Sequence, residues 1–342
     1  MLFQKKIIPV ISTVALFFTA PAYSADAKLS FYGTLDVYMG STKSASDNGR
    51  TFTVNPSGLT TSFIGIKSDF DISDDTTGMI VLESFLRPDI GESGRFDGDT
   101  FWARDAFVGI KGKFGTFSSG RITTPYFLSV IQSNTFGGAF GFGPSIKHSF
   151  LGGLNGDSGW SNAISYSAPD YSGFSSSILY SAGEISNESS NNKVGANVFY
   201  TVGKLKTTIA LQSVDAAADD PAAPLGDTQK AAMIGATYDA GIVTISAQFL
   251  RMITKAEAGD MGYKTTHLGV TMPVGKAKIL LSYAGTKSKA GAGDYVTRST
   301  AAIGYLKDIT KQLNTYLVFY DDNPPDSDLN EASLVLGGRF SF

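Results

Sequence analysis

The segment that decides the fold reads Leu29-Ser30-Phe31-Tyr32-Gly33-Thr34-Leu35-Asp36-Val37-Tyr38-Met39. Apolar or small residues occupy every second position and most positions between them are polar, which is the period of a β-strand with two unlike faces. The same alternation returns later in the chain, at Val243, Ile245, Ala247 and Phe249 and at Leu334, Leu336, Phe340 and Phe342. The chain is therefore predicted to build a sheet whose faces meet different environments.

Segments of this kind follow one another from Lys28 to Phe342, and the connectors between them are alternately short and long. We predict sixteen strands, including strands over residues 59–70 and 100–111. Strands that run up and down place all short turns on one side and all long loops on the other, as in a transmembrane β-barrel. The predicted fold is all-β, an antiparallel up-and-down barrel with apolar positions toward lipid and polar positions toward a watery lumen.

Composition supports this fold and excludes other classes. The 342 residues are 42% apolar and 12% aromatic, with a mean hydropathy of +0.02, which is too polar for a helical membrane bundle. The chain has no cysteine and a net charge of −3, and its basic residues are scattered, so no nucleic-acid surface is indicated.

One segment resembles an apolar helix. Residues 1–24 carry Lys5 and Lys6 before an apolar core, which predicts a secretory signal peptide over 1–24 and a barrel domain over 25–342. Because no other stretch is long enough for a spanning helix, the outer membrane of a Gram-negative bacterium is the predicted location.

Several motifs, in order, carry a family resemblance. They are Phe31-Tyr32-Gly33-Thr34-Leu35-Asp36, Phe63-Ile64-Gly65-Ile66-Lys67, Phe101-Trp102-Ala103-Arg104-Asp105-Ala106-Phe107-Val108-Gly109-Ile110-Lys111-Gly112, Asn162-Ala163-Ile164-Ser165-Tyr166 and Gly338-Arg339-Phe340-Ser341-Phe342. This series resembles the signature of trimeric Gram-negative general porins of the β-proteobacterial type.

The resemblance implies a homotrimer in which each barrel is a water-filled channel for passive diffusion of ions and small hydrophilic solutes. It implies a third loop folded into the lumen, no cofactor and no enzymatic activity. Outer-membrane lipid, lipopolysaccharide and the outer-membrane assembly machinery are the implied partners. The terminal Phe342 would be the assembly signal, and the simpler alternative is a lipid-facing strand residue.

The third long connector, residues 122–159, is the candidate for that loop. It is far longer than a hairpin needs, and loops of such length are usually functional or disordered. Its stretch from Phe136 to Pro144 is apolar enough to prefer a packed position. We therefore predict that loop 122–159 constricts the channel.

The charge pattern departs from the family. Related porins place acidic side chains on this loop opposite wall arginines, yet no Asp or Glu occurs between Ile122 and Asp157, and Phe63 stands where an arginine is frequent. The charged candidates for the pore lining are Lys67, Arg104, Arg121 and Lys147, with Glu83 and Asp36 as acids. Because most of these candidates are cations, the channel is predicted to have a weak anion preference or a near-neutral ion selectivity. The alternative is that some of these charges pair with each other.

Two other functions stay open. A channel specific for neutral solutes such as sugars would use aromatic side chains as a sliding surface, and the same side chains could instead pack the loop against the wall; the candidates are Phe63, Tyr126, Phe127, Phe136, Phe140, Phe142 and Trp160. An outer-membrane hydrolase would carry a Ser/His/Asp cluster on the outer face or rim of its barrel. The string Gly156-Asp157-Ser158-Gly159, with His148 or His267 as a base, is similar to a serine-protease motif, but Trp160 replaces the second glycine of that motif.

No metal site is predicted, because two histidines without cysteine do not make a zinc site. The acidic pairs Asp219-Asp220 and Asp321-Asp322 are candidates for a divalent-cation bridge to lipopolysaccharide, and a solvated loop is the simpler interpretation.

Overall fold

The computed structural model describes residues 27–46, 49–183, 191–215, 228–255, 259–291, 293–325, 327 and 329–342. The predicted signal peptide and the pair Asp219-Asp220 lie outside these ranges. In chain order the elements are β1 (Lys28–Lys43), β2 (Arg50–Pro56), β3 (Phe63–Ser73), β4 (Thr76–Arg87), β5 (Glu92–Ser93), β6 (Ala106–Gly112), β7 (Gly115–Thr123), α1 (Pro125–Gln132), α2 (Pro144–Ser149), β8 (Gly159–Ser167), β9 (Phe174–Ser181), β10 (Lys193–Val202), β11 (Leu205–Asp215), β12 (Thr228–Asp239), β13 (Thr244–Lys255), β14 (Met261–Val274), β15 (Ala277–Ala290), β16 (Val296–Asp308), β17 (Leu313–Asn323) and β18 (Glu331–Ser341).

Sixteen of these strands form one closed antiparallel barrel, which confirms the predicted fold. Strand β1 closes it, because Lys28–Thr34 pairs with β3 and Thr34–Lys43 pairs with β18. The last residue completes the seam, since the backbone N–H groups of Phe342 and Gly33 each donate to the other's carbonyl oxygen at 3.1 Å. The two remaining strands, β2 and β5, belong to long loops and pair only with β1 and β4.

The two faces of the wall differ as the alternation predicts. On β11, Ile209 and Leu211 are 54% and 57% exposed, whereas Ala210 between them is buried. The same exposed apolar set continues around the barrel, for example at Leu29, Phe31, Ile234, Leu268, Ile303 and Leu336. Because antiparallel partners share a face, the strand registers extend this assignment to every barrel strand. Among the described residues, no helix is long and apolar enough to cross a bilayer.

The predicted strand over 59–70 begins later than expected, at Phe63. Upstream of it, the buried carboxylate of Asp36 accepts hydrogen bonds from the backbone N–H groups of Gly58, Leu59 and Thr60 at 3.2, 2.9 and 2.8 Å. Those N–H groups are therefore turned toward a side chain instead of a neighbouring strand. The predicted strand over 100–111 likewise begins only at Ala106, because residues 101–105 form turns and bends.

Loop 122–159 contains two helices that strand periodicity did not predict. Thr124 caps α1 by accepting the Phe127 N–H at 3.1 Å, and a proline occupies the first turn of each helix, where no N–H is needed. We call residues 124–158 the L3 segment. Its short helices give it a rigid shape that a bare loop would lack.

Candidate functional site

The L3 segment lies against the inward-facing side chains of one half of the wall. Tyr126 and Val130 of α1 are fully buried and pack with Met233, Leu250 and Met252 of β12 and β13. Further along, the L3 segment packs on β15 to β18 through Phe136, Ala139 and Phe142, which cluster with Leu280, Val318, Tyr316 and Tyr320. The opposite half of the wall, from β3 to β9, is left uncovered by these contacts.

Hydrogen bonds also hold the L3 segment in this position against the wall. Gln248 on β13 donates to the Val130 carbonyl at 2.7 Å and to the Ser133 hydroxyl at 2.8 Å. Asn197 on β10 donates to the Pro125 carbonyl at 2.9 Å. The L3 segment comes so close to the wall at Gly235 and Gly269 that a larger residue would collide with it. A Cβ atom at these positions would lie 2.2 and 1.8 Å, respectively, from a side-chain oxygen of the L3 segment.

A cavity of about 540 Å³ lies between the L3 segment and β4 to β9, and we call it the opening. The two sides of the opening differ in chemistry. The L3 side is apolar and is formed by Phe127, Leu128, Ile131 and Phe140. The wall side carries a group of small hydroxyl side chains, namely Thr116, Ser118, Ser165, Ser167 and Ser177, together with the apolar Met79, Phe107 and Leu179. A second cavity of about 510 Å³ shares Leu128 and Ile131 with the opening and extends to Asp170 and Gly173 in a short turn.

A charged cluster lies at β3, β4 and the segment before β6, and its Arg104 lines the opening. Arg104 forms an ion pair with Glu83, which also accepts a hydrogen bond from the Tyr32 hydroxyl. The Arg104 guanidinium lies 4.0 Å from the centre of the Phe63 ring. Lys67 is exposed, its Nζ atom lies 5.3 Å from the centre of the Tyr32 ring, and within the described residues it forms no ion pair. These four predicted lining residues, Phe63, Lys67, Glu83 and Arg104, are thus brought together.

Arg121 lies apart from this group. It is opposite Ala106, on the strand face that also bears the exposed Val108 and Ile110, and the pairing of β7 with β8 shifts register between Gly120 and Ile122. Its guanidinium donates to the Ala103 carbonyl at 2.5 Å and to the Asp157 carboxylate at 2.7 Å. Its place in the pore lining stays a prediction.

Asp157, at the end of the L3 segment, is held by two guanidinium groups. In addition to the bond from Arg121, each carboxylate oxygen of Asp157 accepts a hydrogen bond from Arg95 at 2.8 Å. The Arg95 guanidinium in addition donates to the Asp99 carboxylate at 2.9 Å. Burial alone would raise the pKa of the Asp157 and Asp99 carboxyl groups, but hydrogen bonds and positive charge from Arg95 hold each pKa below its usual 3.8. We call these four residues the L2–L3 clamp, because Arg95 and Asp99 lie in the loop between β4 and β6.

Acidification is expected to release the clamp only at low pH. A lowered carboxyl pKa adds stability that is complete above the ordinary value of 3.8 and is lost as the pH falls through the lowered value. At neutral pH, Asp157→Asn should have a similar effect and raise limited proteolysis within residues 88–105 roughly fivefold. Asp97→Asn, in the same loop but exposed, is the control; equal protection in both variants would contradict the clamp.

Other predicted charges are also paired. Lys147 on α2 binds Glu331 of β18 at 3.2 Å. The inward-facing Arg298 and Asp322 form an ion pair at 2.7 Å, so Asp322 is committed within the protein and is no free cation ligand. Among the described residues, no group of three or more histidine or acidic side chains is arranged to hold a metal.

Like Arg298, the inward-facing cation Arg339 was not among the candidates. Arg339 of β18 is opposite Asp36 and donates to the Thr60 hydroxyl at 2.7 Å. Its position on the polar face of the last strand is visible in the alternation of residues 333–342, so strand parity could have identified it.

The aromatic candidates divide into two groups. Phe136, Phe142 and Trp160 are 5%, 3% and 1% exposed and pack the L3 segment and the wall, which is the packing alternative for the aromatic candidates. Phe140 lines the opening and stacks on Phe127 with ring centres 5.8 Å apart. At the C-terminus, Phe342 is 42% exposed on the outer face beside Phe31.

The histidines are not arranged for hydrolysis. His148 bridges the L3 segment to the wall through Thr286 at 2.6 Å and Thr300 at 2.7 Å, and burial lowers its pKa to about 3. His267 bonds Ser282 at 2.9 Å, whereas the Ser158 hydroxyl bonds Asp157. Neither histidine therefore serves Ser158 as a base.

A closed sixteen-stranded barrel with an inward-docked third loop defines a class of membrane channel. The chain belongs to the family of Gram-negative porins, which it matches over residues 12–324. It is accordingly a porin of the Gram-negative outer membrane, a channel for ions and small solutes and not an enzyme.

Individual relatives are distant in sequence and close in fold. Outer membrane porin protein 32 of Delftia acidovorans is 23% identical over 315 residues, covering 89% of this chain and 86% of that protein. The solved anion-selective porin from Comamonas acidovorans has a TM-score of 0.79 at 21% identity, covering 92% of this chain and 100% of that one. OmpT of Vibrio cholerae in its trimer form has a TM-score of 0.70 at 16% identity, covering 92% and 99%.

Proposed function

We propose that the L3 segment is the constriction of this porin and that the opening is its narrowest passage. The observation that carries the proposal is the docking of the L3 segment on β10 to β18, which leaves an opening of about 540 Å³ beside β4 to β9. A solute crossing the barrel would pass between an apolar helix face and a wall that presents both hydroxyl and apolar side chains.

We further propose a weak anion preference. Of the lumen-facing acids, Glu83 and Asp36 are buried, and Asp69 and Glu331 form ion pairs with Lys111 and Lys147. Lys67 is exposed and the Arg104 side chain is 33% exposed. Permeating ions would therefore meet more positive than negative charge, although Asp105 also borders the opening. That a relative of the same fold is named an anion-selective porin agrees with this assignment.

The direct test is the reversal potential of single channels in a planar bilayer under a potassium chloride gradient. A modest potential of the sign produced by chloride selectivity is expected. Clear potassium selectivity would overturn the proposed preference, and an absence of channels would overturn the proposed role of the opening.

A channel specific for neutral solutes is the second candidate, because Phe127 and Phe140 remain at the opening as a stacked aromatic pair. Sugars added at millimolar concentration distinguish the two functions. A general diffusion channel keeps its salt current, whereas stepwise block of the current would favour a sugar-specific channel.

The proposed assembly is a homotrimer, supported by the trimer form of a relative with the same fold. The mass of the detergent-solubilised protein before and after heating tests this, since a barrel trimer should dissociate to a chain of 36.2 kDa or its mature form.

Phe342 is proposed as the assembly signal. Phe342→Ala keeps the backbone pairing with Gly33 and removes only the exposed ring. We expect the amount of folded protein in the outer membrane to fall several-fold, while refolding of the purified chain in detergent changes little. Phe340→Ala, which removes a neighbouring exposed ring, is the control; equal losses in both variants would assign Phe342 a lipid-facing role alone.

A further inference from the structure

The connection between β2 and β3 folds inward at the place where β1 changes its neighbour. Strand β1 pairs with β3 as far as Thr34 and with β2 from Val37, so among the described strands Asp36 has no partner on that side. Residues 57–62 fill this gap, and the Asp36 N–H donates to the Ser62 hydroxyl at 2.9 Å. We call residues 57–62 the L1 strap.

One carboxylate holds the L1 strap on the wall. Besides the three backbone N–H groups of the strap, the Asp36 carboxylate accepts a hydrogen bond from the Tyr316 hydroxyl of β17. Tyr316 lies so close to the strap that a Cβ atom at Gly58 would be 2.2 Å from the hydroxyl oxygen. Hydrogen bonds to an ionised acceptor are among the strongest in proteins, so the strap is firmly anchored.

The tip of the L3 segment rests on the L1 strap. Leu59 is 5% exposed and packs in one cluster with Phe136 and Phe142 of the L3 segment. The two backbones are close as well, because a Cβ atom at Gly141 would lie 2.9 Å from the Gly58 carbonyl oxygen. The strap and the L3 tip together therefore occupy the side of the lumen next to β17 and β18.

The L1 strap also borders the opening. Thr60 and Thr61 both line this cavity, and both are half-buried. The Thr60 hydroxyl accepts a hydrogen bond from Arg339 at 2.7 Å, whereas the Thr61 hydroxyl has no hydrogen-bond partner among the described residues. The Leu86 N–H donates to the Ser62 carbonyl at 2.8 Å and ties this end of the strap to β4. A solute in the opening would meet a fixed backbone with one available hydroxyl.

We propose that the L1 strap is a second constriction element of this channel, beside the L3 segment, and that Thr61 is a residue that determines its selectivity. The inference rests on the proposed function, because Thr61 affects permeation only if solutes pass through the opening. A side chain at the edge of a narrow passage changes both the cross-section and the local concentration of ions. Changes at Thr61 should therefore act on conductance and on ion selectivity together.

A charge attached at Thr61 tests the proposal. The chain has no cysteine, so Thr61→Cys carries the only thiol. Its thiolate forms a mixed disulfide with a methanethiosulfonate reagent and releases methanesulfinate, and the group transferred bears either a sulfonate or a trimethylammonium. Either label should lower the single-channel conductance about twofold by occupying part of the opening. The labels differ by two units of charge, so their permeability ratios in 0.1 M salt should differ about threefold, with the sulfonate favouring cations.

Two further cysteine variants separate the possible results. Leu128→Cys lies on the L3 side of the opening, and its labels should lower the conductance in the same way. Ser73→Cys is exposed at the end of β3, and its labels should leave the current unchanged. If labels act at Leu128→Cys while Thr61→Cys stays unlabelled or unaffected, the opening conducts but the L1 strap is not part of the constriction. If labels act at neither position, the proposed role of the opening fails as well.

The anchor of the L1 strap provides an independent measurement. Asp36→Asn replaces one acceptor oxygen by an N–H donor, so N–H groups of the strap lose their partner. We expect a conductance about 1.5-fold higher and a current that fluctuates between levels as the strap leaves the wall. Asp69→Asn removes another inward carboxylate, the partner of Lys111, and should give a steady current. Steady currents of unchanged size in both variants would show that the strap does not narrow the opening.

Discussion

Deleting residues 136–144 is expected to raise the single-channel conductance roughly two- to threefold, because a sixteen-stranded barrel without an inward obstruction is a wide aqueous channel. The deletion removes Phe136, Ala139 and Phe142, whose buried side chains attach the L3 segment to β15, β17 and β18. The largest solute that passes should grow as well. Planar-bilayer recording and the swelling rates of liposomes in sugars of increasing size measure these two effects.

A point variant that is expected to lower the conductance complements the deletion, which is expected to raise it. Leu128 is partly exposed and lines both cavities, so Leu128→Trp should narrow the path and lower the conductance while the L3 segment stays docked. Phe52→Ala, on the exposed face of β2, is the control. If the deletion leaves the conductance unchanged and Leu128→Trp does as well, the narrowest passage lies elsewhere in the barrel.

Reversing the charge of Lys67 should shift the permeability ratio toward cations by about threefold in 0.1 M salt. The estimate takes an ion about 10 Å from the side chain in water, where Coulomb's law with screening gives roughly 0.15 kcal/mol per unit charge. Lys67→Glu changes two units and acts with opposite sign on anions and cations. Reversal potentials under a salt gradient measure the shift, which should shrink as the salt concentration rises.

Two comparisons control this experiment. Lys67→Gln removes a single unit of charge and should give about half the shift in free energy. Lys307→Glu makes the same reversal on an outward-facing, exposed residue of β16 and should leave selectivity unchanged. Lys67 suits the test because, within the described residues, no ion pair is broken by its substitution, whereas replacing Arg121 would disturb the L2–L3 clamp. An unchanged reversal potential in Lys67→Glu would remove this residue from the pore lining.

Local alternation predicted the wall well because each strand residue has only two directions in which to point. Leu29 and Phe31 are exposed on the outer face as predicted, and the last strand shows the same agreement at Leu334 and Leu336. The rule fails where the backbone departs from a regular strand. Arg121 lies where the pairing of β7 with β8 shifts register, and residues 58–60 turn their N–H groups toward the Asp36 carboxylate, so spacing alone does not assign either segment.

The sequence identified which residues belong to the candidate site better than it identified how these residues contact one another. Lys67, Glu83 and Arg104 were recognised as charges near the pore, but their sequence spacing does not tell that Glu83 is buried under Arg104 and that Lys67 remains exposed. The apolar stretch 136–144 was recognised as packed, while the helix that forms one side of the opening was not predicted. Phe127, Leu128 and Ile131 have the spacing of one helix face, but α1 has only 8 residues, too few for a helical period to be recognised in the sequence.

The alternation of polar and apolar residues along each strand is enough to specify a barrel with an apolar outside and a polar inside, because it repeats every two residues. Which charges remain available to ions and which are neutralised depends on contacts between distant segments. Ion pairs such as Arg95 with Asp157 and Lys147 with Glu331 join residues far apart in the chain. Their formation depends on barrel closure and on the docking of the L3 segment, and no local pattern encodes those distances.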